Sequence, residues 1–168
     1  MDEPLNFHPA EIPVLERLRE LGIAYTRRTH PAVFTVEQAR QYEQNTPGAH
    51  CKNLFLRDRK GLRHFLAVFD ERRQVDLRQL AEQAGASGLS FASPERLLRI
   101  LGLTPGSVGP FGLLHPDACE VTVLFDAGLM RADFVSFHPN INTATLTFSS
   151  ADFARYLAWV GNPLLRIE

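Results

Sequence analysis

The chain has 168 residues, 45% of them apolar and 22% charged, with a formal net charge of −1. That length suits one domain with a real core, and the charge argues against bulk binding to duplex nucleic acid, which needs a strongly basic face. No apolar run is long enough to span a bilayer, and Met1-Asp2-Glu3-Pro4 lacks the apolar stretch of a signal peptide. The only cysteines, Cys51 and Cys119, lack CxxC spacing. They predict reduced thiols in a cytoplasmic protein, with no redox or zinc motif.

In chain order, Glu11 to Leu21 places Ile12, Val14, Leu15, Leu18 and Leu21 on a helical period closed by Gly22. Ala24 to Thr29 reads as a short strand. Thr35-Val36-Glu37-Gln38 has capping-box spacing, which predicts a helix to about Gln44, broken by Asn45-Thr46-Pro47-Gly48. Cys51 to Arg57 and Leu62 to Phe69 predict paired strands around Asp58-Arg59-Lys60-Gly61. Asp76 caps a helix to Ala84. Ser93-Pro94-Glu95 starts another, which Gly102 stops. Val121 to Phe125, Ala132 to Phe137 and Thr143 to Phe148 are expected strands. Ser150 to Val160 is expected as the closing helix, with Phe153, Leu157 and Val160 on one face.

Strands and helices alternate without the βαβ rhythm of a Rossmann sheet, and neither GxGxxG nor GxxxxGK[ST] occurs. There is no repeat, low-complexity segment or linker, so residues 1–168 read as one domain. The Pro/Gly stretch around 104–112 reads as a site loop.

Six histidines are present: His8, His30, His50, His64, His115 and His138. None shows metal-ligand spacing, so no metal is expected. No GxSxG elbow supports a serine hydrolase. His138-Pro139-Asn140 follows an expected strand. It reads either as a plain turn or as an imidazole presented to a cleft beside Asn140, Asn142 and Thr143.

Of the 18 basic residues, only Lys52 and Lys60 are lysine. Lys52 and Asn53 head the apolar run Leu54-Phe55-Leu56. They read equally well as a charged gatekeeper with a turn residue, or as a fixed cation with a polar neighbour that orients a carbonyl or anionic group. Gly106-Ser107-Val108-Gly109-Pro110 exposes main-chain groups that can hold a small polar ligand, although such loops are common. Arg27 with Arg28, then Arg57, Arg59, Lys60 and Arg63, then Arg72 with Arg73, form short basic clusters. Each taken singly is a solvated turn or edge; together they leave room for a phosphate backbone.

As an ordered set these stretches resemble the freestanding prolyl-tRNA editing proteins of the YbaK-like superfamily, of the PrdX or ProXp-ala type that deacylates Ala-tRNA(Pro). The matching segments begin with His30-Pro31, Thr35 and Glu37, then His50-Cys51-Lys52-Asn53-Leu54-Phe55-Leu56 and Val75-Asp76-Leu77. Leu89-Ser90-Phe91-Ala92-Ser93, Leu101 to Leu113 and Phe137-His138-Pro139-Asn140-Ile141-Asn142-Thr143 follow. The likeness runs from about residue 10 to 160.

The resemblance implies an α/β fold of α+β type, a mixed and partly curled β-sheet surrounded by helices. It implies a cytoplasmic hydrolase, without cofactor or metal, that cleaves the ester between a wrong amino acid and tRNA. Lys52 looks like the family's essential lysine, with Asn53 beside it and His138 as its pocket histidine. Gly106, Ser107, Val108, Gly109 and Pro110 look like the GxxxP substrate loop, and the Thr35–Gln44 helix like the segment that gates the site.

A proline pocket rejects smaller substrates weakly, since a missing methylene is worth about 1–3 kcal/mol. A second, smaller sieve lined by Val33, Phe34, Thr35 and Ile141 is therefore expected. The implied partner is the alanine-bearing acceptor end of tRNA(Pro), met by Arg27, Arg28, Arg57, Arg59, Lys60 and Arg63. Transient contact with prolyl-tRNA synthetase or elongation factor is implied too, and neither membrane nor DNA. The rival readings are a Cys-tRNA(Pro) deacylase, a non-catalytic module that binds tRNA or a synthetase, and an unrelated small-molecule binder.

Overall fold

The computed structural model describes residues 6–44 and 48–168. The N-terminal Met1 to Pro4 and the expected breaker Asn45-Thr46-Pro47 lie outside the described residues. The elements are α1 (Ile12–Glu20), β1 (Thr26–Thr29), α2 (Val36–Glu43), β2 (Ala49–Asp58), β3 (His64–Asp70), α3 (Leu77–Ala84), β4 (Leu89–Phe91), α4 (Pro94–Leu101), β5 (Thr122–Asp126), β6 (Phe134–Phe137), β7 (Ala144–Ser149), α5 (Ser150–Val160) and β8 (Leu164–Ile167). Short 3₁₀ turns cover Pro110–Leu114, Pro116–Ala118 and Leu129–Arg131.

Helix boundaries follow local chemistry. Thr35, Asp76, Ser93 and Ser149 each accept a backbone N–H at a helix start, which satisfies donors the first turn leaves open. Gly102 and Gly161 adopt left-handed conformations that stop α4 and α5.

The strands form a mixed sheet in the order β1-β7-β6-β2-β3-β5-β8, with β4 also on β2. Strand β2 joins its halves. Ala49 and His50 pair in parallel with Val135 and Ser136 of β6. From Cys51 to Arg57 the same strand pairs antiparallel with β3.

Two cores flank this arrangement. The larger gathers Leu66, Val68, Val123, Phe125, Val135, Phe137, Leu146 and Phe148 with Val14 and Leu18 of α1, Leu97 and Leu101 of α4, and Phe153 and Tyr156 of α5. The second gathers Leu56, Phe65, Ala67, Phe69 and Leu124 with Leu80 and Ala84 of α3 and Ile167. Strand β3 is therefore buried on both faces.

The expected elements are present, with β1 starting at Thr26 rather than Ala24. Two further strands appear. β4 is three residues long, too short for a periodic signal. β8 follows the helix expected to close the chain. Its first three residues are exposed and only Ile167 is buried, so this edge strand carries no alternation to read.

Candidate active site

Strand parity builds one polar face. His50 and Ser136 are register partners in the parallel β2–β6 pair, so their side chains share a face. Beyond that pair the two strands are no longer bonded to each other, and Cys51 and Asn53 line the hollow beside His138. From β7, Thr145 and Thr147 join this side, while Ala144, Leu146 and Phe148 turn to the core. Ser136 Oγ lies 2.7 Å from Thr147 Oγ1. His30, one residue past β1, adds its ring, with Nε2 2.9 Å from Thr145 Oγ1. The ring centroid is 5.6 Å from that of His138. Tyr42 of α2 stacks on His30 at 6.0 Å, so α2 lies across the face.

His138 Nδ1 is 2.8 Å from the Ala144 carbonyl oxygen. A carbonyl only accepts, so Nδ1 carries the proton and Nε2 the lone pair. Burial holds the imidazole below its ordinary 6.5, the Ala144 hydrogen bond opposes that shift, and the charge of His30 adds to it. The ring is therefore neutral at pH 7. Around it, Cys51, Asn53, Ser136, Phe137 and Thr145 enclose a hollow of about 30 Å³, room enough for a water. Asn53 Oδ1 is buried there without a hydrogen-bond partner among the described residues. Two acceptors thus border one small space.

Lys52 is half-buried, and its ammonium donates to the Arg73 carbonyl. Arg73 is fixed in turn by Asp126, 2.7 Å from its guanidinium and nearly buried, and by the carbonyl of Glu168. Among the described residues no hydrogen bond joins Lys52 to the 106–110 loop. As neighbours on β2, Lys52 and Asn53 turn to opposite faces of the strand; Asn53 lines the His138 hollow, and the Arg73 carbonyl holds the lysine head group.

The 106–110 loop closes the other side. Ser107 returns both its N–H and its hydroxyl to the Thr104 carbonyl. Gly106 has φ +93°, and a Cβ there would stand 3.2 Å from a Phe34 ring carbon and 3.5 Å from Asn142 Nδ2. A Cβ on Gly109 would come within 3.8 Å of the His138 carbonyl oxygen. Beneath, the buried Tyr156 hydroxyl donates to the Pro110 carbonyl at 2.9 Å. Asn142 and Val33 exchange a side-chain and a backbone hydrogen bond, and Asn140, at φ +64°, donates to the Phe111 carbonyl. Segments 33–34, 106–109 and 138–142 therefore converge.

The other expected residues fall variously. Val33 is 4% exposed and supports the wall from below, whereas Phe34 is 69% exposed and stands over the Gly106 turn. Val108 and Ile141 are half-buried. Thr35 serves as the α2 N-cap. Arg27 is committed to structure: its guanidinium makes two bonds to Glu11, which is fully buried. Arg57 bonds the carbonyls of Asp58 and Arg59, and Arg63 bonds that of Gly85. These two, with Arg59 and Lys60, occupy the far end of β2, five residues or roughly 16 Å along the strand from Lys52. Arg28, Arg59 and Lys60 are exposed.

The residues that sequence reasoning did not single out for the site are Ser136, Thr145, Thr147 and Tyr42; Arg73 figures there only in a basic cluster. The first three carried a signal: each interrupts an apolar strand at alternate positions. The larger hollow, of about 750 Å³ between α5, β5 and the 129–131 turn, is lined chiefly by apolar side chains such as Phe125, Phe153 and Leu157 and contains none of these groups. Among the described residues, no cluster of three or more His, Cys, Asp or Glu side chains is arranged to hold a metal ion. None of the described helices is long and apolar enough to cross a membrane.

The model of the aminoacyl-tRNA editing domain matches residues 30–156, a span that includes the whole polar face. This chain belongs to that family. It is 40% identical over 159 residues to the prolyl-tRNA editing protein ProX of Acetoanaerobium sticklandii, covering 95% of this chain and 97% of that one. It is 34% identical over 151 residues to the prolyl-tRNA synthetase associated domain-containing protein 1 of Bos taurus, covering 88% of each chain. A crystal structure of a proposed trans-editing enzyme for prolyl tRNA synthetase superposes with a TM-score of 0.73 at 21% identity, over 97% of this chain and 99% of that one. At that identity the likeness speaks for the fold.

Proposed function

We propose that this protein is a trans-editing hydrolase acting on mischarged tRNA(Pro), with Ala-tRNA(Pro) as its substrate. Family membership supports the aminoacyl-tRNA deacylase activity, and the relatives named for prolyl-tRNA support the tRNA. One observation carries the site assignment. A neutral His138 and the unpartnered Asn53 Oδ1 border one hollow, Lys52 adjoins Asn53 on β2, and a glycine turn walled by Phe34 approaches the His138 backbone.

In this reading the acceptors Asn53 Oδ1 and His138 Nε2 receive the α-ammonium of the aminoacyl group, and the 106–110 main chain holds its carbonyl end. Water, or a hydroxyl of the terminal ribose acting with it, attacks the ester carbon. Lys52 leaves the Arg73 carbonyl and offsets the negative charge that develops on the ester oxygen. The C–O bond to the ribose breaks, the ribose oxygen takes a proton, and alanine and tRNA depart. Phe34 and the Gly106 turn limit the space beside the side chain, so that alanine enters and the proline ring does not. The exposed Arg28, Arg59 and Lys60 are offered as contacts for tRNA, and any contact with a synthetase or elongation factor is transient. Both cysteines are thiols, which suits a cytoplasmic protein.

Deacylation of Ala-, Cys-, Ser- and Pro-charged tRNA(Pro) tests the reading, with Lys52→Ala as a second arm. Alanine is released fastest and proline is spared. Lys52→Ala loses more than about 10²-fold in rate, the scale of one lost charge-stabilising donor, while its circular dichroism is unchanged. Faster release of cysteine or equal release of proline overturns the specificity. Tight tRNA binding without turnover, or full activity in Lys52→Ala, overturns the mechanism.

A further inference from the structure

The polar face contains a hydrogen-bonded chain that the editing reading leaves unused. His30 Nδ1 lies 2.9 Å from the Pro31 carbonyl oxygen, which only accepts, so the proton of a neutral His30 sits on Nδ1. Its Nε2 then carries a lone pair, and the Thr145 hydroxyl, 2.9 Å away, must donate to it. With that proton committed, the Thr145 oxygen presents only lone pairs to His138 Nδ1, 3.5 Å distant. His138 Nδ1 already donates to the Ala144 carbonyl. Two backbone carbonyls, one at each end, thus fix the direction of every bond between the two rings.

We propose that His30 and Thr145 are positioning residues for His138, holding its ring so that Nδ1 keeps the proton and Nε2 remains the acceptor offered to the substrate. The Ala144 carbonyl alone constrains one direction of the ring. The Thr145 oxygen supplies a second constraint from the neighbouring β7 position, and His30 keeps that oxygen from turning its proton toward His138. Stacking on Tyr42 holds the His30 ring in place. Outer partners of this kind set the orientation and tautomer of working imidazoles.

The use of the Nε2 lone pair rests on the editing reading; the tautomer does not. Long-range ¹H–¹⁵N spectra of the imidazoles in the free protein read the tautomer directly. In the wild type, His138 shows the Nδ1–H form. In Thr145→Val and His30→Phe, its signals broaden or shift toward a mixture. In the same variants kcat for Ala-tRNA(Pro) falls about tenfold with little change in KM, the lower end of the range for lost outer-shell partners. Thr145→Ser, which keeps the hydroxyl, restores both. A wild-type His138 protonated on Nε2 overturns the proposal, as do unchanged His138 signals and unchanged kcat in both variants. Full activity in His138→Ala instead counts against the role given to His138 above and leaves the tautomer result standing.

Discussion

The two halves of the sheet put the same strand architecture to different uses. In the β3–β5 half, both faces are buried: Leu66 and Val68 enter one core and Phe65, Ala67 and Phe69 the other. In the β6–β7 half, only one face is given to packing. Val135, Phe137, Leu146 and Phe148 enter the core, while Ser136, His138, Thr145 and Thr147 form a polar surface crossed by α2. The first half gives both of its faces to hydrophobic burial; the second gives one and retains another on which polar groups bond one another.

The sharpest way to break this contrast is to truncate side chains in each half and compare. Phe65→Ala, at a fully buried position, is expected to lower unfolding free energy in a denaturant titration by about 3–5 kcal/mol. Replacing Ser136 and Thr147 together by Ala and Val removes both partners of one bond and is expected to cost less than about 1 kcal/mol. Equal losses would show that the polar face is as much a part of the folding core as β3 is.

Gly106→Ala probes the junction of site and scaffold. A left-handed φ of +93° costs an L-residue about 1–2 kcal/mol, and the new methyl presses on Phe34. A higher KM with a small loss of stability is the expected result, measured by deacylation kinetics beside thermal unfolding. A stability loss with unchanged KM would place Phe34 outside the binding wall.

The smallest expected effect is a pH dependence shared by the halves. His64 lies below its ordinary 6.5 through burial first and then the charges of Arg96 and Arg99. His138 is lowered through burial and His30. In each case the unfolded chain takes up a proton before the folded one does, so stability falls as pH drops through about 6.5. Denaturation midpoints at pH 7.5 and 5.5 measure the fall, and His64→Phe removes the part that belongs to the β3 half. An identical fall in that variant would assign the whole effect elsewhere.

Much of the fold was legible because caps and periods are local. Thr35, Asp76, Ser93 and Gly102 each act within one turn, and the alternation of β7 sits within six residues. β4 and β8 were not legible, because their pairing partners, not their own sequences, make them strands. Of the candidate site, Lys52, Asn53, His138 and the 106–110 loop were marked by residue type. What no local pattern marked was which charges were already engaged. Arg27 reads as a free cation until the fold brings Glu11 to it from 16 residues away. Lys52 likewise finds its acceptor in the segment after β3.

Among the described residues, strand β2 is the one element common to both cores and to the polar face. Its Phe55 enters one core, its Leu56 the other, and His50 and Lys52 lie at the site end. Any repacking that slides or tilts this strand therefore reaches the polar face without touching it. Attempts to make the protein hardier by redesigning residues 54–58 will shift turnover at the same time, whereas changes confined to α3 or α4 leave the two properties separable.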